Sequence, residues 1–327
     1  MQPNLPLSWL LSQPDPWVRW RAQVDLLDLS TEDVQVSEDR LAVLNHPVVR
    51  NLISRAKLWD EVPLKRHNDA NHPLHTMGVL ADFGLKMDDP GMEEIIERLA
   101  THVSSEGLFQ SLLDINPRYG DRGGSQWSWM LCDAPLVINA LIAFGYYSDN
   151  LLQSAIDQLT GFARENGWPC VTAPELSGFR GPGRKTDPCP YANLVSLRAL
   201  SLLPETHNHP AVLAGVEMIL QHWQDRKEKK YYLFGIGTDF GKLKYPLIWY
   251  DVLHVVSVLG RFEFARSDQR LHELVNLLAN QQDENGCFTP SSVWMAWKGW
   301  DFAQKKVPSP WLTLMAHRAL RPFRPVR

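Results

Sequence analysis

The segment Asp157-Gln-Leu-Thr-Gly-Phe-Ala-Arg-Glu-Asn-Gly167-Trp168 has the pattern of an amphipathic helix end, followed by a glycine and then an aromatic residue. Glycine commonly follows a helix because it adopts the left-handed backbone conformation at little steric cost. The pattern recurs at 97–109 and 276–288, so that the glycines at 107, 167 and 286 are 60 and 119 residues apart. This spacing indicates an internal repeat, with a fourth copy at 215–231 that lacks the glycine.

A second class of helix alternates with the first. Five segments are apolar nearly all round, which is typical of helices buried on every side; they are 73–85, 134–146, 191–203, 249–262 and 311–320. An N-terminal pair at 17–29 and 47–59 extends the alternation of buried and amphipathic helices.

This alternation predicts an all-α fold, an α6/α6 toroid with about six inner and six outer helices. Residues 1–327 are expected to form a single toroid domain, in which a short helix near 5–11 supplies the last outer element and closes the ring. An open solenoid of helix hairpins is the alternative, because spacing alone does not establish closure.

The composition is that of a globular protein. The chain has 327 residues, of which 44% are hydrophobic and 21% charged, and its net charge of −4 disfavours a dominant nucleic-acid surface. No apolar run is long enough to span a membrane, and the N-terminus lacks the basic start and apolar core of a signal peptide. Four widely spaced cysteines contain no CxxC pair. We therefore expect a cytoplasmic protein with reduced thiols.

The loops that lead from outer to inner helices are long, at 107–131, 167–188, 229–247 and 286–309. Long structured loops in a compact domain usually carry function. We therefore expect the functional site where the inner helices begin, since helix N-termini also favour a bound anion.

Polar residues occupy the first turns of these otherwise apolar helices, and they supply the predicted catalytic residues Asp133, Asp251 and His254. Cations and aromatic side chains in or near the same turns would bind a ligand with an anionic head and an apolar body. These predicted ligand-binding residues are Arg180, Arg184, Lys185, Tyr191, Trp129, Trp249 and His75.

Several of these residues also have a purely structural interpretation. Asp133 and Asp187 could satisfy free backbone amides at helix starts, and Cys132 could be a small packing residue. His75 could be a satisfied core histidine. Asp251 and His254 share one face of a buried helix, and a buried acid needs a partner, which could be His254 or a metal.

The repeats resemble those of the terpenoid cyclases and the protein prenyltransferase β subunits, which share the α6/α6 toroid. The segment Arg184-Lys-Thr-Asp187-Pro-Cys189 resembles the prenyltransferase segment in which Asp-x-Cys supplies two zinc ligands. The resemblance implies zinc bound by Asp187 and Cys189, with Asp251 or His254 near the place of the third ligand. It also implies that the basic pair just upstream holds an isoprenoid diphosphate.

The sequence departs from that family in three respects. Arg184 and Lys185 are closer to Asp187 than in the family, the third ligand is shifted or replaced, and the Asp-x-Asp-Asp proton donor of the cyclase branch is absent. Asp88-Asp89 is not a substitute, because it lies in a short loop. Triterpene cyclisation by protonation is therefore disfavoured.

Three functions follow as hypotheses. The first is an enzyme that acts on an isoprenoid or other anionic-headed apolar ligand in the lumen, assisted by zinc. The second is a carbohydrate-active α6/α6 barrel, for which Asp133 and Asp251 would be the carboxylate pair. The third is a non-catalytic toroid that binds a small molecule or peptide.

Overall fold

The computed structural model describes residues 5–117, 124–147, 150–176, 179, 186–230 and 235–324. Within these ranges the chain is predominantly helical, with one two-stranded antiparallel sheet formed by β1 (Ser111–Leu113) and β2 (Gln126–Ser128). The α-helices of the described residues are α1 (Leu7–Leu11), α2 (Pro16–Leu27), α3 (Val34–Asn45), α4 (Pro47–Ala56), α5 (Pro73–Asp82), α6 (Glu93–Thr101), α7 (Ala134–Phe144), α8 (Asn150–Gly161), α9 (Pro190–Leu200), α10 (Pro210–Gln224), α11 (Val252–Leu259), α12 (Gln269–Ala279) and α13 (Pro310–Leu320).

The chain divides into two compact units. Unit 1 comprises Met1–Leu52 and Thr238–Arg327, and in it α13 packs against α2, α11 and α12. The two chain segments of unit 1 are joined by Arg321, whose guanidinium donates a hydrogen bond to the carbonyl of Asp25 (2.5 Å).

Unit 2 comprises Ile53–Gly237. In it α9 packs against α7 and α10, and α5 packs against α7. Every residue of α9 is buried, including the polar Asn193 and Ser196. A helix without a solvent-facing side matches the all-round apolar pattern that predicted it.

The predicted alternation is present. The five segments that are apolar all round contain α5, α7, α9, α11 and α13. The amphipathic helices between them bury one face; α12, for example, buries Leu271, Leu274, Val275 and Leu278.

One helix was not predicted. In α3, only Val36, Asp39 and Val43 are buried, whereas Val34 and Leu41 are 75% and 60% exposed. Because its apolar residues fall on both the buried and the exposed sides, the segment has no clear hydrophobic periodicity to recognise.

The structure corrects the role of the repeat glycines. They have the expected left-handed conformation, with φ of 91° at Gly107, 93° at Gly167 and 81° at Gly286. Their helices, however, end earlier, at Thr101, Gly161 and Ala279. Each glycine instead closes a tight turn, in which its amide donates to the carbonyl three residues before it at 3.0 Å.

Polar side chains in these turns compete with the helical hydrogen bonds. Asp283 Oδ1 accepts from the amide of Cys287 (2.8 Å), and Ser104 Oγ accepts from the amide of Leu108 (3.2 Å). The glycine pattern therefore marks a turn that presents a buried residue, rather than the helix end itself.

None of the described helices is both long and apolar enough to cross a membrane.

Candidate functional site

The long loops of unit 2 are joined to each other by backbone hydrogen bonds. The amide of Leu131 donates to the carbonyl of Val171 (3.1 Å), and the amide of Ala173 donates to the carbonyl of Trp129 (2.9 Å). The amide of Cys189 donates in turn to the carbonyl of Trp168 (2.8 Å). The starts of α7 and α9 and the loop between α8 and α9 are thereby brought together.

Asp133 lies at the start of α7 and uses one of its carboxylate oxygens as a cap. Oδ1 accepts hydrogen bonds from the amides of Met130 (3.0 Å) and Ala134 (2.9 Å). Oδ2 is buried and has no hydrogen-bond partner among the described residues. Burial raises the pKa of Asp133 to about 7, although the amides of Met130 and Ala134 partly oppose this. The carboxyl group is thus both a helix cap and a group that exchanges a proton near neutral pH.

Three thiols converge beside Asp133, and we call Cys132, Cys170 and Cys189 the thiol cluster. The antiparallel bridge between Met130 and Thr172 brings Cys132 close to Cys170. The neighbouring thiols of Cys170 and Cys189, together with burial, raise the pKa of Cys132 well above its ordinary value. Cys189 is also the N-cap of α9, where its sulfur accepts from the amide of Ala192 (3.5 Å). All four cysteines of the chain are free thiols.

Tyr191 and His75 are buried in the same unit. Burial raises the pKa of the Tyr191 phenol, and its ring centroid lies 6.3 Å from that of His67. His75 Nε2 donates to the carbonyl of His67 (2.8 Å), and burial lowers the pKa of His75 to about 3. His75 is therefore a neutral imidazole with a satisfied N–H, as expected of a core histidine.

In unit 1, Asp251 repeats the arrangement of Asp133 at the start of α11. Its Oδ1 accepts from the amide of His254 (3.0 Å), while Oδ2 is buried without a hydrogen-bond partner among the described residues. Burial raises the pKa of Asp251 to about 7, and the positive charge of Lys244 partly opposes this.

The partner of Asp251 differs from the expected one. The carboxylate is bonded to the backbone amide of His254, whereas the imidazole Nδ1 donates to the carbonyl of Trp249 (2.8 Å). The physical reason is that the first-turn amides of a helix lack intrahelical acceptors and attract a capping carboxylate.

Tryptophans lie close in the sequence to both aspartates, Trp129 before Asp133 and Trp249 before Asp251. Trp129 is buried, and its ring centroid is 5.1 Å from that of Phe162. Trp249 is half-buried, and nearby the Lys244 ammonium lies 4.6 Å from the centroid of the Trp294 ring.

The predicted zinc ligands belong to both units, Asp187 and Cys189 to unit 2, and Asp251 and His254 to unit 1. Asp187 is half-buried, whereas Cys189 is buried. Throughout the described part of the chain, no group of three or more His, Cys, Asp and Glu side chains has the geometry to hold a metal ion. The predicted anion-binding residues Arg180, Arg184 and Lys185 lie outside the described residues.

Sequence reasoning missed Cys170 and His67. Cys170 follows Trp168 in the loop before α9, at no motif spacing from Cys132 or Cys189. The pairing of residues 129–131 with 171–173 brings it to the thiol cluster, and that pairing has no signature within either segment.

By sequence, the chain matches no known family profile and no curated protein. It is similar in structure to a variant of the unsaturated glucuronyl hydrolase UGL with dGlcA-Glc-Rha-Glc, at 12% identity and a TM-score of 0.50, over 94% of this chain and 84% of that one. It also matches a protein from Actinoplanes (14% identity, 94% and 89% coverage, TM-score 0.42). A third match is the type II terpene cyclase MstE from Scytonema (15% identity, 93% and 86% coverage, TM-score 0.43).

At these identities the comparisons bear on the fold and not on the activity. The similarity to UGL and the alternation of buried and amphipathic helices agree on one architecture. The chain has an all-α fold of the α/α toroid class.

Proposed function

We propose that this protein is an enzyme in which the carboxyl group of Asp133 acts as a general acid on an isoprenoid or other anionic-headed apolar ligand. Because the Asp-x-Asp-Asp motif is absent, that ligand is not a triterpene cyclised by protonation. The observation that carries the proposal is the divided use of this carboxyl group: one oxygen is fixed by two backbone amides, and the other is buried without a described hydrogen-bond partner. A carboxylate that only caps a helix does not require that its second oxygen, here Oδ2, be buried without a hydrogen-bond partner.

The acid role rests on the protonation equilibrium. With a pKa of about 7, a substantial fraction of Asp133 carries its proton at neutral pH. A general acid is most effective when its pKa lies near the working pH. A carboxyl kept protonated in an apolar setting can also donate a hydrogen bond to a bound group without competition from solvent.

The apolar ligand is supported by the neighbouring residues. Trp129, Met130 and Tyr191 are buried in unit 2, near the chain segments that position Asp133. Arg198 is a buried cation of the same unit, and it lies 3.8 Å from the carboxylate of Asp82. Arg180, Arg184 and Lys185 are proposed to bind an anionic head group, since they lie two to seven residues before Asp187 in the sequence.

Asp251 is proposed as a second proton-exchanging group, with His254, Trp249 and Lys244 around it in unit 1. Its carboxyl group has the same division between a capping oxygen and a buried oxygen. We treat it as a separate candidate, to be tested by its own substitution.

A carbohydrate substrate is the second candidate. An aromatic pair favours it: the rings of His102 and Trp127 stack with centroids 3.4 Å apart and planes 5° apart, at half-buried positions. Sugar faces stack on such rings, and the structurally similar UGL is paired with a saccharide. A carboxyl group with a pKa near 7 would protonate a glycosidic oxygen equally well.

Zinc bound by Asp187 and Cys189 is retained as a proposal drawn from the Asp-x-Cys segment. Elemental analysis of freshly purified protein tests it directly. Stoichiometric zinc that is lost in Asp187→Ala would support it, and metal-free protein that keeps its fold and ligand binding after that substitution would contradict it.

The function is tested by incubating the protein with two panels, one of polyprenyl alkenes and allylic diphosphates and one of oligosaccharides with unsaturated uronyl ends. Products are identified by mass spectrometry. We expect turnover of the isoprenoid panel, reduced by roughly 100-fold or more in Asp133→Asn, as for loss of a general acid. Asparagine keeps an oxygen for the two amides, so the cap survives.

Asp157→Asn is the matched control, since Asp157 is an exposed residue whose carboxylate bonds Gln153 on the surface of α8. Full activity in this control excludes a general effect of removing a negative charge. Turnover of the saccharides alone would replace the first candidate by the second. Unchanged turnover in Asp133→Asn would refute the role of Asp133 for either panel.

A further inference from the structure

The thiol cluster is assembled from three separate chain segments. Cys132 directly precedes Asp133 at the start of α7, Cys170 lies in the loop between α8 and α9, and Cys189 caps α9. Backbone hydrogen bonds fix the segments relative to one another, through Leu131 to Val171 and through Cys189 to Trp168. The hydrogen bonds between these loops thus bring the three cysteines together.

The three thiols differ in access and in partners. Cys132 and Cys189 are only 5% and 4% exposed, whereas Cys170 is half-buried and reachable from solvent. Cys132 lies two residues after Met130 and Cys170 lies two residues before Thr172, and Met130 and Thr172 form an antiparallel bridge. The sulfur of Cys189 is also engaged by the amide of Ala192, which holds it in its capping position.

We propose that Cys170 and Cys132 form an oxidation site for hydroperoxides, in which Cys170 reacts with the peroxide and Cys132 then closes a disulfide with it. The proposal is independent of the reaction assigned to Asp133. Disulfides in reducing compartments are rare and, where they occur, are usually transient and redox-sensing or catalytic.

The chemistry proceeds in two balanced steps. The thiolate of Cys170 attacks the terminal oxygen of a hydroperoxide ROOH, the O–O bond breaks, and ROH leaves after taking up a proton, with Cys170 oxidised to a sulfenic acid. The Cys132 sulfur then loses its proton and attacks the sulfur of Cys170. Hydroxide leaves as water, so that two thiols and one ROOH give one disulfide, one ROH and one water.

Cys170 reacts first because it is the most accessible of the three thiols. A thiolate rather than a thiol is the nucleophile. The hydrogen bond donated by the Cys132 thiol lowers the pKa of Cys170, against the opposing effect of burial. Cys287 is the contrasting thiol: burial raises its pKa to about 11, and it has no described cysteine neighbour in unit 1.

The test is a disulfide map of the intact, folded protein. The reduced chain is treated with one equivalent of hydrogen peroxide, its remaining thiols are blocked, and it is digested with trypsin. The digest is informative because the three cysteines fall in separate tryptic peptides, 123–164, 165–180 and 186–198.

We expect two of the four thiols to disappear and peptide 123–164 to become linked to peptide 165–180. Dithiothreitol should then restore all four thiols by thiol–disulfide exchange. A link between peptides 123–164 and 186–198 in place of this one would overturn the assignment of Cys170, and four unmodified thiols would overturn the site altogether.

Variants separate the two steps. Cys132→Ser should stop at the sulfenic acid on Cys170, which dimedone traps, and Cys170→Ser should leave Cys132 reduced. The control Cys287→Ser should still lose the same pair of thiols. Dimedone labelling of Cys132 or Cys189 in place of Cys170 would contradict the proposed order. The disulfide map of the wild-type protein tests the proposed Cys132–Cys170 disulfide even if a variant fails to fold.

Discussion

Asn193 clamps the backbone of Trp168. The amide of Trp168 donates to Asn193 Oδ1 (2.9 Å), and Asn193 Nδ2 donates to the carbonyls of Trp168 (2.8 Å) and Cys189 (2.8 Å). A fully buried side chain of α9 thus satisfies both backbone groups of the residue that follows the repeat glycine. This clamp anchors the loop that carries Cys170.

Asn193→Ala should destabilise the protein by about 1–3 kcal/mol, because it leaves the buried amide of Trp168 without a partner. The carbonyls of Trp168 and Cys189 still accept from the amides of Cys189 and Asn193. The free energy of unfolding by urea measures the effect. Asn285→Ala, at an exposed turn position, should change it by less than about 0.5 kcal/mol. A similarly small loss at Asn193 would mean that the clamp does not contribute to stability.

Gly167→Ala should be more harmful than Gly145→Ala, although both glycines have a φ of 93°. A Cβ at Gly167 would lie 2.3 Å from Asn193 Oδ1, whereas a Cβ at Gly145 meets no atom within 4 Å. Both variants incur about 1–2 kcal/mol of backbone strain, so the difference in their melting temperatures isolates the steric clash. Equal melting temperatures would show that Asn193 moves aside freely.

Thr313→Val tests the corresponding contact in unit 1. Thr313 Oγ1 accepts from the amide of Phe288 (2.9 Å), and valine keeps the side-chain shape without the acceptor. We expect a loss of about 1–3 kcal/mol for the unsatisfied amide. Thr101→Val is the control, since its hydroxyl bonds only a carbonyl on the exposed surface of α6, and comparable losses at both positions would contradict the prediction.

Asp133→Asn should change how stability depends on pH. The native pKa of about 7 exceeds the ordinary value of 3.8, so the folded state retains a proton that the unfolded state releases. The stability that this group contributes is fully present below about pH 4, declines as the pH rises from there to about 7, and is lost above it. Asparagine removes that decline, so the variant should gain up to about 4 kcal/mol relative to wild type above pH 7. Urea titrations at about pH 4 and at about pH 8 measure the gain, and the same difference between the two proteins at both pH values would refute the raised pKa.

The sequence predicts an element of the fold well where the pattern that identifies it lies within a single segment. The buried helices were recognisable because a stretch such as Ala134–Phe144 is apolar all round, independent of its neighbours. Helix α3 was not, since its apolar Val34 and Leu41 face solvent. The glycine pattern was recognisable as a repeat, but its turn depends on side-chain acceptors such as Asp283.

The candidate site was predictable only in part, for a similar reason. Asp133 and Asp251 could be located at the starts of inner helices, because helix starts have local signatures. Whether Oδ2 of each aspartate is buried without a hydrogen-bond partner depends on residues that are distant in the sequence. The contact of Cys132 with Cys170 likewise depends on pairing between two loops, which no motif in either loop encodes.

The cap at Asp133 has a further consequence for the entropy of any reaction at this group. Its carboxyl cannot rotate without giving up the bonds from Met130 and Ala134. The torsional freedom of the side chain is therefore lost when the chain folds, and none remains to be lost when a ligand arrives. The position of Oδ2 is therefore set by the backbone at the start of α7 rather than by neighbouring side chains, and substitutions of those side chains should leave it in place.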